Sequence, residues 1–127
     1  NSNDKIFRMY SGITMNPPVD KLIEFVTDNH ERLGFPLSRL MYTIDNRDKE
    51  RDVPIIHPKF DDSGFLFAGR DKKAVKELYD KYDMMEKLYP HTFSCETAPY
   101  FRKKGEPVHC GYCFFCLERW YGFGRLT

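Results

Sequence analysis

The sequence lacks any long apolar run. None of its hydrophobic stretches approaches the roughly 20 residues needed to cross a bilayer as a helix, so no membrane partner is expected. It also has almost no net charge, with 20 basic and 19 acidic side chains giving a formal +1. Nothing global draws it to nucleic acid or to an anionic surface. The opening residues NSNDKIFRMY contain neither a secretory apolar core nor an initiator Met. The missing signal points to a reducing, cytoplasmic setting, where thiols bind metal more often than they pair. The missing Met leads us to expect a processed chain or a piece of a longer one. There is no G-x4-GK phosphate loop. His30, His57, His91 and His109 are scattered without a nucleophile elbow, so no catalytic triad is expected.

What is present suits one domain and not two. Residues 1–127 read as a single domain or part of one. Aromatic residues reach 16%, and that many rings must fill a core, an interface or a binding surface. Residues 5–10 read as a short strand closed by Ser11 and Gly12. Leu22, Ile23, Phe25, Val26 and Leu33 predict a helix that starts behind Pro17 and Pro18 and stops at Gly34. Residues 43–52, dense in mixed charge, read as an exposed loop. Residues 53–69, with two prolines and two glycines, suit irregular backbone. A second helix is predicted over 70–89, capped by Asp71 and ended by Pro90. Ala74, Val75, Leu78, Tyr79, Tyr82 and Met85 form its core stripe. A last helix begins among the cysteines and runs to about Tyr121, with Gly122 as its stop. The fold class is thus α/β, mostly helical.

The chemistry is concentrated in HCGYCFFCLER, where Cys110, Cys113 and Cys116 stand at C-x-x-C-x-x-C spacing. On one ideal helix they would spread over about 120° of arc and about 9 Å of rise. A straight helix therefore cannot bring all three within the ~2.3 Å of one zinc that thiolate ligation requires. The first pair is expected on a tight turn, with Gly111 supplying its backbone, and Cys116 one turn into the following helix. Sulfurs there gain from the helix dipole, which favours the thiolate. Cys95 is the natural fourth ligand, and His109 and His91 are its rivals. Four cysteines leave no open coordination position, so such a zinc would be structural. An iron–sulfur cluster, a Cys110–Cys113 redox dithiol and four unrelated thiols are the alternatives. Arg102, Lys103, Lys104, His109 and Arg119 flank the cluster. They would either offset the −2 charge of a zinc tetrathiolate or bind a phosphate or carboxylate.

TFSC (residues 92–95), followed by a polar loop and HCGYCFFCLER, resembles the C-terminal zinc segment of the 7-cyano-7-deazaguanine synthases. These are PP-loop ATP pyrophosphatases of the queuosine pathway. That family shows Thr-x-Ser/Thr-Cys and then Cys-Gly-x-Cys-x-x-Cys-x-x-Arg, matched here by Cys95, Cys110, Gly111, Cys113, Cys116 and Arg119. The likeness is specific over 92–119 and slight before that; the zinc segment is taken as residues 92–121. The resemblance implies a structural zinc held by Cys95, Cys110, Cys113 and Cys116 near a substrate pocket. It also implies an ATP-driven conversion of a deazaguanine carboxylate to a nitrile. Two features depart from the family. The Cys95–Cys110 loop is longer than usual, and the Ser-Gly-Gly-x-Asp-Ser loop that cradles ATP pyrophosphate is missing.

Two classes of function follow. In the first, the chain is the zinc-bearing part of a PP-loop enzyme. It would bind ATP only when an N-terminal nucleotide-binding half or partner chain is supplied, and a homo-oligomer is a further partner expectation. In the second, it is a stand-alone, non-catalytic zinc module for protein or nucleic acid, with FFCLERWYGFGR offering rings and arginines to bases. Direct nucleic-acid binding is the less favoured of these readings, because the same rings suit a core.

Overall fold

The computed structural model describes residues 14–49, 70–96, 102–103 and 106–127. In order these form α1 (Val19–Leu33), α2 (Leu37–Asp45), α3 (Lys72–Lys81), a 3-10 turn (Tyr89–His91), β1 (Arg102–Lys103), β2 (Glu106–Pro107) and α4 (Phe114–Phe123). The described residues are mostly helical. Their only sheet is an antiparallel ribbon of two two-residue strands, in which Arg102 faces Pro107 and Lys103 faces Glu106. The strand expected over 5–10 and the irregular stretch expected over 53–69 lie outside the described residues.

The first helix forms as its sequence predicts. Asp20 lies in the first turn, His30 and Arg32 in the last, and Gly34 adopts φ 88° as a left-handed cap. Its Leu22, Val26 and Leu33 are buried against Leu40 and Ile44 of α2 and Phe114 and Leu117 of α4. Apolar area removed from water here is worth about 25 cal/mol per Å². The second helix corrects the start of the loop expected over 43–52. Residues 43–45 are helical, with Thr43 8% and Ile44 2% exposed. The charges that follow Ile44 hid the end of a short amphipathic helix that packs back on α1 across the Gly34–Phe35–Pro36 bend.

The third helix is capped as expected, with the Asp71 side chain accepting from Lys73 N–H at 2.9 Å. It ends at Lys81, well before Pro90. Asp83 takes φ 56°, a conformation that Asp tolerates better than most residues, and Met84 N–H returns to Tyr79 C=O at 2.8 Å. None of the α3 residues is fully buried, so the predicted core stripe is corrected. Tyr79 meets Tyr89 and Phe123 edge-on. Val75, Leu78 and Tyr82 instead line a surface groove of about 360 Å³ with Tyr79, Met84 and Leu88.

The fourth helix begins at its cysteine cap, as predicted, but continues through Gly122. Its left-handed stop is Gly124, at φ 80°. Gly122 has a different role, as the point where α3 touches α4. A Cβ there would lie 2.8 Å from the carbonyl carbon and 3.1 Å from the Cα of Lys72, and would overlap the Lys72 Cβ. Backbone cannot swing aside as a side-chain tip can. Gly122→Ala is therefore expected to lower unfolding stability by about 1–3 kcal/mol. Denaturant unfolding of the purified variant checks this, and an unchanged midpoint would contradict the close α3–α4 approach.

Candidate metal centre

Each cysteine reaches the centre from a different local structure. Gly111 has φ 88°, and its Cα faces Phe35, whose Cε2 would lie 3.1 Å from an added Cβ. Glycine takes this positive φ without strain and leaves the Phe35 ring its place, and this bend folds Cys110 back towards Cys113. Cys113 then caps α4, its sulfur accepting from Cys116 N–H at 3.4 Å. Cys110 Sγ accepts from Tyr112 N–H at 3.4 Å and Cys113 N–H at 3.3 Å. Cys95 arrives from the segment after the 3-10 turn, and its sulfur accepts from Cys110 N–H at 3.3 Å. Backbone N–H groups aimed at sulfur stabilise thiolate over thiol.

The four sulfurs lie within 4.8 Å of one another. Cys110 and Cys116 are 4.0 Å apart, as are Cys95 and Cys113. A tetrahedron with metal–sulfur bonds of about 2.3 Å has edges of about 3.8 Å. The cysteines are free thiols, and a disulfide would need sulfurs about 2.05 Å apart. These separations suit four ligands around one ion. A multi-iron cluster would assign the thiolates to different irons and spread them further apart. A Cys110–Cys113 dithiol would leave Cys116 and Cys95 without reason to converge. Among the described residues no other His, Cys, Asp or Glu side chains gather in this way. As free thiols, Cys113 is held down to about 5, chiefly by a hydrogen bond from the Cys116 side chain. That shared proton, with burial, pushes Cys116 up.

Both histidine rivals to Cys95 stand apart from the centre. His91 is exposed at the end of the 3-10 turn. His109 stacks on Phe93 at 4.2 Å and its Nε2 accepts from Ser94 N–H at 3.4 Å. Burial first, and the Arg119 charge second, lower its pKa to about 4. It is a neutral buttress for the residues leading to Cys95.

Arg119 is the second organising residue. Its side chain is 3% exposed and stacks on the Tyr89 ring at 4.2 Å. Its Nε donates to Leu126 C=O at 2.7 Å and Nη1 to Ser94 Oγ at 2.9 Å. Its Nη2 reaches Thr92 Oγ1 at 2.8 Å, Thr92 C=O at 3.0 Å and, more loosely, Tyr89 C=O at 3.4 Å. One guanidinium thus ties α4 to the C-terminal segment and to the residues that present Cys95. Tyr89 is fully buried, donates to Arg125 C=O at 2.6 Å, and is pushed by burial to about 12. The phosphate or carboxylate site considered from sequence does not include Arg119, whose donors are spent on the protein. Lys104 lies outside the described residues, and the structure describes only the backbone of Arg102 and Lys103. The rings of FFCLERWYGFGR are likewise drawn inward: Phe114 and Phe123 are buried, and Trp120 and Tyr121 pack on the core.

Sequence reasoning missed the contacts on the other side of the turn. Thr43 Oγ1 donates to Tyr112 C=O at 2.8 Å, pinning α2 to the cysteine turn. The Arg39 guanidinium lies 4.3 Å from the Tyr112 ring centroid and 5.6 Å from that of Tyr42. No motif announces these residues; only the tertiary approach of α2 does. Compared with known proteins, the chain matches no family model, no curated protein sequence and no solved structure.

Arg119→Lys tests the clamp. Lysine keeps the charge but cannot reach the C-terminal segment and the residues before Cys95 at once. Leaving buried carbonyls unpaired is expected to cost about 2–4 kcal/mol. Chemical unfolding with metal bound measures it; a loss within about 0.5 kcal/mol, as at an ordinary surface site, would contradict this role for Arg119.

Proposed function

We propose that this chain is the structural-zinc part of an ATP-dependent PP-loop enzyme similar to the 7-cyano-7-deazaguanine synthases. The observation carrying this reading is the convergence of the matched motif residues. Cys95, Cys110, Cys113 and Cys116 approach one point, and Arg119, at the motif's arginine position, locks the same elements together. Zinc suits the donor set because four thiolates are its usual closed, structural environment. Such a metal has no place for substrate. It fixes the shape of the surrounding chain and leaves the chemistry to residues elsewhere.

The charges support the same reading. Arg119 is a buried cation whose hydrogen bonds all go to neutral oxygens, and the Cys116 sulfur acts on its charge. A tetrathiolate zinc carries −2, and that charge would repay part of the cost of burying Arg119. ATP would be bound by the nucleotide half of the enzyme, since this sequence holds no Ser-Gly-Gly-x-Asp-Ser loop. A second reading, a non-catalytic zinc module docking a protein, draws support from the groove along α3, where Leu78 is 40% and Tyr82 61% exposed.

The gene distinguishes the two. The enzyme reading expects the frame upstream of Asn1, or a co-encoded chain, to supply a strand followed by Ser-Gly-Gly-x-Asp-Ser. Together with that half, the protein should form a nitrile from a deazaguanine carboxylate with consumption of ATP. Absence of any such half, or no turnover by the reconstituted whole, would leave the module reading.

A further inference from the structure

The four ligands are unequally protected. Cys95 is 7%, Cys113 5% and Cys116 0% exposed, whereas Cys110 is only half-buried. All four sulfurs lie within 4.8 Å of one another, and two of the contacts, Cys110–Cys116 and Cys95–Cys113, are 4.0 Å. The two members of the first pair lie on the turn and first helical turn of one short segment. The second pair joins that segment to the residues after the 3-10 turn.

We propose that Cys110 is an oxidation site, at which a hydroperoxide converts the zinc centre into an ordered pair of disulfides. The proposal rests on the zinc reading above. The Cys110 thiolate attacks one peroxide oxygen; the O–O bond breaks, Cys110 becomes the sulfenic acid, and hydroxide leaves. The Cys116 thiolate, already 4.0 Å away, attacks the Cys110 sulfur and displaces a second hydroxide. The peroxide gains two electrons and the two thiolates lose them. The ion keeps only Cys95 and Cys113 and is released, since two thiolates do not hold structural zinc. Loss of the ion opens the Cys95 and Cys113 thiolates to a second peroxide, which joins them by the same steps. The order follows from exposure: a thiolate that solvent cannot reach does not start the sequence. The first bridge is local and leaves the Cys95 segment without its metal tie, so the centre acts as a peroxide-sensitive latch.

The test uses the zinc-loaded chain. Zinc is counted first, so a protein without it contradicts the metal reading rather than this one. Peroxide is then added stepwise while a chromogenic chelator reports released zinc and non-reducing peptide mapping identifies bridges. Release is expected with the Cys110–Cys116 bridge first and the Cys95–Cys113 bridge after it, both reversed by dithiothreitol and zinc. Cys110→His supplies a nitrogen ligand in place of the least buried of the four thiolates, and should slow release at least about tenfold. Retention of zinc under excess peroxide would overturn the proposal. So would release with sulfinic acids in place of bridges, or with Cys95 joined to Cys110 or Cys116.

Discussion

Four sulfurs must meet at one point, and almost every local feature of the C-terminal region answers that constraint. A turn, a helix cap, a helical position and a separate segment each contribute one thiol. Gly111 supplies a positive-φ bend beside Phe35 that a side chain would strain, and the backbone N–H groups of Cys110, Tyr112, Cys113 and Cys116 all point at sulfur. This geometry is directed at anionic sulfur, and a metal is what stabilises four such sulfurs together.

The centre works with a core, not in place of one. Leu22, Val26, Leu40, Ile44 and Leu117 are almost completely buried, and they fix α4 against the α1–α2 pair. That places the cap of α4, and hence Cys113 and Cys116. The remaining freedom lies in the segment carrying Cys95, and Arg119 removes it with hydrogen bonds to Thr92 and Ser94. A buried guanidinium is costly unless its donors are matched and its charge is offset. Matching comes from carbonyls and hydroxyls, and the offset would come from the thiolates of a metal-loaded centre. Metal and arginine are therefore coupled: loss of the negative centre would leave the cation in a poorer environment.

The sequence discloses this centre unusually well. Spacing alone excluded a straight helix for the three clustered cysteines and required a turn at Gly111, and that turn is present at φ 88°. The first helix was legible because its periodicity and Gly34 stop agree. The second was not, since its apolar residues run into the charged stretch after Ile44 and lose their pattern there. The third was overextended, because helical spacing persists through Tyr82 and Met85 while the backbone turns at Asp83. Gly122 looks like a stop in the sequence because a glycine near a helix end usually is one. Its actual role, admitting the backbone of Lys72, depends on a partner helix that periodicity does not reveal.

X-ray absorption at the zinc edge of the metal-loaded chain tests the central claim most directly. This structure predicts a shell of four sulfurs at about 2.3 Å and no light-atom scatterer in the first shell. A shell containing nitrogen or oxygen would contradict it, because one of the four cysteines would then be absent from the centre around which the C-terminal region is built.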